Sequence, residues 1–391
     1  MQRARALTPG CAHVVHLNHA GASLMPQPVL DAMLGHLHLE ATIGGYEAAE
    51  AAGDALEATY SSIASLIGAD PDEIAIVESA TTAWNAAVGA LPVEPGQHVI
   101  CTRSEYGSNA ITLLQLRERT GCRIVLIDDD PTGQVDLDAF NAALTAGPVA
   151  FASLVHIPTG SGLVNPAEAV GRLCADAGVP LVLDACQSLG QLPVDVGAIG
   201  CSVLTASSRK FLRGPRGVGF LYVRRSVIDR MHPWNLDLRS ASWVDAERYE
   251  PRRDTRKFEQ YESVIAARLG MGAAVDHALS WGVPAIAERV ALLTGRLRDR
   301  LRALPGVELH DKGTRVNAIT TCSIAGVSAT EVSRRLRSQA INTSVVLPGQ
   351  ARHDLPHRGL GELLRISLHY TTTDDELERA AAAIGAIAVA G

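Results

Sequence analysis

Short apolar runs and segments of helical length alternate along this chain from about residue 70 onward. The runs that predict strands cover residues 73–77, 98–102, 123–127, 149–155, 179–183, 202–205 and 218–223. The segments between them with helical length and spacing include residues 83–91, 110–119, 137–144 and 166–177. Strands that alternate with helices predict a mostly parallel sheet covered by helices on both faces, so the sequence predicts an α/β fold.

The rhythm of the sequence changes after this region. Residues 234–257 are polar and aromatic and end in a basic cluster, which is typical of a loop near a site or a subunit interface and equally of a solvated connection. Helices at 264–281 and 284–304, with strands at 318–325 and 363–368, then predict a smaller α+β domain near the end of the chain. A chain of 391 residues is long enough for one large and one small domain.

The composition is that of a globular protein, with 47% apolar residues, 20% charged residues and a net charge of -7. This balance gives no electrostatic reason to bind nucleic acid or an anionic membrane. No apolar stretch typical of a secretory signal follows Arg3 and Arg5, and no run reaches the roughly 18 apolar residues of a membrane span, so we expect a cytoplasmic protein. The seven cysteines form no C-x-x-C pair, which predicts buried thiols and no metal site.

A lysine and an acid follow two of the predicted strands. Lys210 closes a run of small and hydroxyl-bearing residues and precedes a glycine-rich turn, an unfavourable place for a lysine that is merely solvated. Asp184 comes at the carboxyl end of the strand at 179–183. Pyridoxal phosphate chemistry needs these two groups, because a lysine forms a Schiff base with the cofactor and an acid keeps its pyridine nitrogen protonated. We therefore interpret Lys210 and Asp184 as catalytic residues of a pyridoxal phosphate site.

Hydroxyl side chains open the helix that follows the first of these strands. Ser79, Thr81 and Thr82 lie where free amide groups and the positive end of the helix dipole favour a phosphate. The same residue types are also ordinary helix N-caps. Beside Lys210 and Asp184, the phosphate cup is the favoured interpretation. No nucleotide-binding glycine motif follows a strand, so a nucleotide phosphate is not the expected ligand.

The side chains of Tyr106 and Arg365 can each be interpreted as functional or as structural. Tyr106 follows the end of the strand at 98–102, where its ring could stack on a pyridine or fill the core. Arg365 lies in an apolar strand, where its guanidinium would hold a substrate carboxylate or form an internal ion pair. A polar loop at 349–359, which carries Arg352 and His353, precedes that strand.

Taken together and in this order, the motifs resemble those of the class V aminotransferases, a group of fold-type I pyridoxal phosphate enzymes. The group includes cysteine desulfurases, carbon–sulfur lyases and isopenicillin N epimerase-like proteins. The resemblance runs from residues 17–23 to residues 365–367, and the stretches 40–50, 105–107 and 214–217 are most similar to the ergothioneine-type lyase branch. That wider branch also processes S-conjugated cysteines in lincosamide-type pathways.

The resemblance implies the pyridoxal-phosphate-dependent transferase fold of type I. A large domain at 20–265 would contain a mostly parallel seven-stranded sheet, and residues 1–19 and 266–391 would form a small α+β domain. Lys210 would bind the cofactor covalently, Asp184 would contact the pyridine nitrogen and Gln187 the ring hydroxyl. The other residues implied to bind the cofactor are Ala80, Thr81, Thr82, Tyr106, Ser207 and Arg209. The residues implied to bind the substrate are Arg365, Thr159, His19, Ala20, Arg352 and His353.

The chain departs from the desulfurase pattern at four places. Tyr106 and Arg209 stand where histidines are usual, and Thr159 replaces an asparagine. The loop at 349–359 contains no cysteine that could receive sulfur as a persulfide, and the nearest cysteine, Cys322, lies within a predicted strand. Relay of sulfur to a protein thiol is therefore not expected.

These departures favour β-elimination over sulfur transfer. An S-substituted cysteine, or its sulfoxide, would give a thiol or sulfenate, pyruvate and ammonia. Transamination, epimerisation and decarboxylation-coupled oxidative deamination of the same substrates remain alternatives, as does desulfuration, and a non-catalytic binding protein is the rival of a different class. The expected partner is a small amino-acid substrate, and the resemblance implies a homodimer with shared active sites; neither nucleic acid nor membrane is expected.

Overall fold

The computed structural model describes residues 2–390. Its strands are β1 (Val15–His16), β2 (Ile74–Val77), β3 (His98–Thr102), β4 (Arg123–Ile127), β5 (Val149–Val155), β6 (Leu181–Asp184), β7 (Val203–Ser207), β8 (Gly219–Val223), β9 (Ala241–Asp245), β10 (Arg248–Pro251), β11 (Val307–Leu309), β12 (Ile319–Ile324), β13 (Ile341–Asn342), β14 (Ser344–Val346) and β15 (Leu363–Ser367). Its α-helices are α1 (Gln2–Ala6), α2 (Gln27–Ile43), α3 (Gly45–Ala51), α4 (Gly53–Ile67), α5 (Ala80–Ala90), α6 (Gly107–Thr120), α7 (Leu137–Thr145), α8 (Ala167–Asp176), α9 (Val196–Ile199), α10 (Arg225–Ile228), α11 (Ile265–Trp281), α12 (Val283–Arg302), α13 (Ala329–Arg337) and α14 (Asp374–Ala390).

The main sheet has seven strands, in the order β2-β8-β7-β6-β5-β3-β4. Strands β3 to β7 pair in parallel, whereas β8 runs antiparallel to both of its neighbours. Every residue of β2, β6, β7 and β8 is buried, because helices cover both faces of the sheet. The predicted α/β fold with a mostly parallel seven-stranded sheet is confirmed.

This topology brings several predicted site residues to one edge of the sheet. The adjacent strands β5, β6 and β7 are parallel, so their carboxyl ends lie side by side. Asp184 is the last residue of β6, Ser207 is the last residue of β7, and Lys210 follows in the next turn. A ligand crevice is expected at this edge.

A second, antiparallel sheet lies near the end of the chain, in the order β11-β12-β15-β14. The apolar side chains of helices α12, α13 and α14 pack with it into a separate core. Strand β1 joins this part of the molecule through parallel pairing with β13. Helix α11 contributes Ala267, Met271 and Val275 to the core beneath the main sheet, while Trp281 at its end packs against the core of the second sheet.

The segment at 234–257 contains an exposed β-hairpin, whereas its sequence is typical of a loop near a site or a subunit interface and equally of a solvated connection. Strands β9 and β10 pair antiparallel, with Trp243 opposite Tyr249. Both rings are largely exposed, at 72% and 60% of their surface. Within residues 2–390, no helix combines the length and apolarity needed to cross a membrane.

Candidate active site

Lys210 stands in the turn after β7, at the same edge of the sheet as the end of β6. Within residues 2–390 its Nζ donates no hydrogen bond, and it lies 5.9 Å from the centre of the Tyr106 ring. Burial lowers the pKa of the Lys210 amine, and the charges of Arg209 and Arg365 lower it further, against the opposing effect of Asp184. A lysine held in this way is available as a nucleophile and as a base.

The Asp184 carboxylate is 6% exposed and is held through both oxygens. Oδ1 accepts from the backbone N–H of Cys186 at 2.9 Å, and Oδ2 accepts from Nδ2 of Asn109 at 3.0 Å. These donors fix its orientation but leave further lone pairs on both oxygens. The carboxylate is therefore free to accept a hydrogen bond from a protonated ring nitrogen.

The start of helix α5 forms the predicted phosphate cup. The Oγ of Ser79 accepts from the backbone N–H of Thr82 at 3.1 Å. Ser79 is therefore the N-cap of α5, which is the structural alternative to phosphate binding for this hydroxyl. The first amide groups of the helix, at Ala80 and Thr81, have no intrahelical acceptor. Across the cup, the buried Oγ of Ser207 has no hydrogen-bond partner in the described structure.

Gln187, Thr159 and Arg365 form one hydrogen-bonded chain. Nε2 of Gln187 donates to the backbone oxygen of Ala20 and to Oγ1 of Thr159, both at 3.1 Å. Nη1 of Arg365 donates to the same Oγ1 at 2.6 Å, and its Nη2 donates to Oδ1 of Asn18 at 3.3 Å. This series of hydrogen bonds links Gln187, which is expected at the ring hydroxyl, to Arg365, which is expected at the substrate carboxylate.

Arg365 forms no ion pair with any carboxylate of residues 2–390, and its buried Nε has no hydrogen-bond partner there. It is only 8% exposed, and burial together with the charge of Arg209 lowers its pKa to about 10. The internal ion pair considered from sequence is therefore absent in this part of the chain. A buried guanidinium without a carboxylate partner favours an anionic ligand.

Arg209 joins the lysine turn to the segment near the start of the chain. Its guanidinium donates to the backbone oxygen of Gly21, and its own backbone oxygen accepts from the N–H of Ser23 at 2.8 Å. The expected contact of Arg209 with the cofactor stays a prediction. In the structure its charge lies close enough to Arg365 to depress the pKa of that residue.

Three of the residues predicted to bind substrate lie apart from this chain of contacts. His19 is 1% exposed, and its ring packs between those of Phe211 and His369, at centroid distances of 6.5 and 5.2 Å. The structure thus does not bring the His19 ring to the open crevice. Arg352 and His353 line a neighbouring cavity of about 480 Å³ whose other wall includes Tyr106.

Three buried polar residues of the site were missed by sequence reasoning. Oε1 of Glu105 accepts from Nδ2 of Asn109 and from the N–H of Tyr106, both at 3.0 Å. Its Oε2 accepts from Oγ of Ser153 at 2.6 Å. A serine inside the otherwise apolar run at 149–155 was the available signal, because a polar residue there needs a buried partner.

These groups fit pyridoxal phosphate. The unpartnered Ser207 Oγ and the free amides of α5 match its phosphate, and the buried, unpartnered Oε1 of Gln187 matches a ring hydroxyl. Gly219 in β8 is needed for the approach of α5, since a Cβ there would lie 2.9 Å from the backbone nitrogen of Ala80. Lys210 and Asp184 supply the amine and the acid that the cofactor requires.

This chain matches known proteins in sequence and in fold. The family model described as aminotransferase class-V matches residues 15–380. A probable hercynylcysteine sulfoxide lyase of Mycobacterium tuberculosis (strain CDC 1551 / Oshkosh) is 32% identical over 390 residues, which cover 99% of this chain and 93% of that protein. A probable cysteine desulfurase of Synechocystis sp. is 28% identical over 93% of this chain and 89% of its own.

The fold also matches a solved structure along its whole length. The apo cysteine desulfurase of Thermococcus onnurineus NA1 superposes with a TM-score of 0.93 and 21% sequence identity, covering 100% of this chain and 98% of the other. At that identity the likeness establishes the fold alone. With the family match, it shows that this chain belongs to the class V aminotransferases and is a pyridoxal-phosphate-dependent enzyme of fold type I.

Proposed function

We propose that this protein is a carbon–sulfur β-lyase that cleaves an S-substituted cysteine, or its sulfoxide. In the overall reaction, one water is consumed, the bond between the β-carbon and sulfur breaks, and a thiol, pyruvate and ammonium are formed. With a sulfoxide substrate, a sulfenic acid leaves in place of the thiol. The Mycobacterium tuberculosis relative supports this proposal, because its name describes a sulfoxide lyase and it matches this chain over nearly its whole length.

The observation that carries the proposal is the loop at 349–359. It contains no cysteine, and the structure holds it down at several points. Arg103 donates to the backbone oxygen of His353, and Arg358 donates to the backbone oxygen of His310. Asp354, within the loop, forms an ion pair with the buried Lys312 at 2.9 Å. A fixed loop without a thiol favours release of the sulfur product into solution over its transfer to the protein.

Bound pyridoxal phosphate supplies an electron sink for the α-carbon of an amino acid. Around it, Arg365 would hold the substrate carboxylate, with Thr159 and Asn18 fixing the guanidinium plane. The Lys210 amine, with its lowered pKa, would take the proton from the α-carbon. The sulfur then leaves with the electron pair of the broken bond and takes up a proton. Water converts the remaining three-carbon fragment to pyruvate and ammonium.

The group carried on sulfur would extend into the cavity beside Tyr106. Arg352 and His353 face this cavity on one side, and Ile111 and Leu114 of α6 face it on the other. Its walls therefore combine a positive charge with apolar surface. We infer that the preferred substituent carries both an apolar portion and a polar or anionic end.

The proposal is tested by incubating the cofactor-loaded protein with S-alkylcysteines and their sulfoxides and identifying every product by mass spectrometry. Equimolar pyruvate, ammonium and thiol or sulfenate support β-elimination. A keto acid that retains sulfur indicates transamination, loss of carbon dioxide indicates a decarboxylating reaction, and alanine with a persulfide indicates desulfuration. The lyase proposal is wrong if the wild-type protein binds the cofactor but forms pyruvate from none of these substrates, and Lys210→Ala serves as the control for background pyruvate.

We infer that the enzyme acts as a homodimer in the cytoplasm. The exposed rings of Trp243 and Tyr249 on the hairpin, with Trp234 at 79% exposure, are suited to an interface between two copies. All seven cysteines are free thiols, as is usual in a reducing compartment. Light scattering of the wild-type protein and of a Trp243→Ser variant tests the dimer, and a monomeric wild-type protein at micromolar concentration would contradict it.

A further inference from the structure

One side-chain amide lies between two buried carboxylates. Nδ2 of Asn109 is 3.0 Å from Oε1 of Glu105 and 3.0 Å from Oδ2 of Asp184. All three side chains are buried, with exposures of 4% for Glu105, 3% for Asn109 and 6% for Asp184. A carboxamide nitrogen carries two hydrogens, so Asn109 can donate one to each carboxylate.

The far carboxylate is itself firmly anchored. Glu105 accepts from Oγ of Ser153, on strand β5, and from the backbone N–H of Tyr106, at the start of helix α6. Its two oxygens thus receive three hydrogen bonds, counting that of Asn109. Strand β5 pairs directly with β6, which ends at Asp184. The network therefore ties Asp184 to a neighbouring strand and to a helix.

Asp184 gains two properties from this arrangement. Its carboxylate plane is set, because Asn109 holds one oxygen and the N–H of Cys186 holds the other. It also faces a second buried acid across a single amide group. Burial raises the pKa of Glu105 to about 7, and the charge of Asp184 adds to this rise. Besides Asp184, the buried thiol of Cys101 on β3 faces Glu105, and Arg352 and His353 line the same cavity as Glu105.

We propose that Glu105 and Asn109 are positioning residues that aim the Asp184 carboxylate at the pyridine nitrogen of the cofactor and strengthen its hold on the ring proton. Asn109 sets the direction of the carboxylate, and Glu105 supplies a second negative charge behind it. Neither residue needs to touch the cofactor. The role concerns the cofactor alone and does not depend on which reaction follows.

Two substitutions separate the parts of this role. Asn109→Leu keeps the approximate shape but removes both hydrogen bonds, so Asp184 loses its orientation. Glu105→Gln keeps the shape of the acid but removes its charge. Ser153→Ala removes one anchor of Glu105 without touching Asp184, so its effect should have the same direction and be smaller. Glu118→Gln, at an exposed position of helix α6, which also carries Asn109, is the matched control.

The measurement is the dissociation constant of pyridoxal phosphate for protein stripped of cofactor, by titration of the visible absorbance from pH 6 to 9. The wild-type protein should bind more tightly as Glu105 ionises near pH 7. We expect Asn109→Leu to bind the cofactor at least tenfold more weakly, since a charge-assisted hydrogen bond is lost. Glu105→Gln should bind several-fold more weakly above pH 7 and should lose the change in affinity near that pH.

A purely structural role predicts a different result. The variants would then unfold at a lower temperature without cofactor, while the cofactor affinity and its dependence on pH stayed at the wild-type values. That result would overturn the proposal. If Asn109→Leu does not fold, the nearly isosteric Glu105→Gln decides the question alone, and equal affinity to wild type above pH 7 refutes it.

Discussion

The approach of helix α5 to the sheet can be tested by adding one methyl group at Gly219. This residue pairs with Ser207 on one side and with Val77 on the other. A Cβ at Gly219 would lie 2.5 Å from the backbone oxygen of Ala206 and 2.9 Å from the backbone nitrogen of Ala80. Both are backbone atoms, so no side-chain rotation can relieve the contact. Gly219→Ala must push the start of α5 away from β7.

The expected loss follows from the groups that move. Adding a methyl group to a fully packed position costs about 1–3 kcal/mol of folding stability. The same displacement separates the Ala80 and Thr81 amides from the Ser207 hydroxyl, the two sides of the phosphate cup. A hydrogen bond to a charged group contributes about 1.5–3 kcal/mol. Weakening one such bond corresponds to roughly 10- to 100-fold weaker binding of pyridoxal phosphate, since 1.4 kcal/mol is a factor of ten.

The assay is an absorbance titration of cofactor-free protein with pyridoxal phosphate, together with thermal unfolding of the same samples. Gly89→Ala is the control, because it adds the same methyl group to helix α5 where no atom lies within 4 Å. The control should keep the wild-type affinity. If Gly219→Ala binds the cofactor within twofold of wild type, the start of α5 does not form the phosphate site and this account of the crevice fails.

Three further outcomes are expected. Arg365→Met should lower kcat/KM for amino-acid substrates by about 10- to 100-fold through a higher KM, while an unchanged cofactor affinity measured by absorbance would locate the loss at the carboxylate. Lys312→Met removes the ammonium that pairs with the half-buried Asp129 at 2.5 Å and with the buried Asp354 at 2.9 Å, while Arg358 stays 3.5 Å from Asp354, so urea unfolding should show a loss of about 1–3 kcal/mol. Because the pKa of Glu105 is raised from 4.5 to about 7, this residue contributes about 3 kcal/mol of folding stability below pH 4.5, and that contribution is lost as the pH rises through 7. Wild-type protein that does not lose stability relative to Glu105→Gln between pH 4.5 and 7 would contradict this expectation.

The strands of the main sheet could be predicted to within a residue or two because most of them are buried on both faces. Burial of that kind requires a continuous apolar run, and the run at 149–155 coincides with β5. The hairpin formed by β9 and β10 had no such signal. Its residues are mostly exposed, and its mixed polar and aromatic composition fits a loop equally well. Pairing between two solvated strands depends on contacts that a local pattern does not encode.

The proximity of Asp184 and Lys210 at one edge of the sheet could be predicted for a related reason. The carboxyl ends of parallel strands meet, so Asp184 and Lys210 had to be neighbours once the strands were assigned. The assignment of strands does not predict the direction in which a side chain outside the strands points. His19 is next in sequence to Ala20, whose backbone oxygen accepts from Gln187, but the His19 ring packs among buried rings, including those of Phe211 and His369. Asn109 was missed because its partner Asp184 is 75 positions later in the chain.

The charges of the crevice explain why the arginine at position 209 matters beyond its contact with Gly21. Arg209, Lys210 and Arg365 lie together, and Asp184 is the acid whose charge opposes theirs at Lys210. A histidine at position 209, with its ordinary pKa near 6.5, would be mostly neutral at neutral pH. The arginine therefore adds a permanent positive charge, which makes the protonated form of Lys210 less stable and the binding of anions more favourable. Both effects suit the proposed elimination, in which the Lys210 amine would take a proton from the α-carbon and Arg365 would hold the substrate carboxylate.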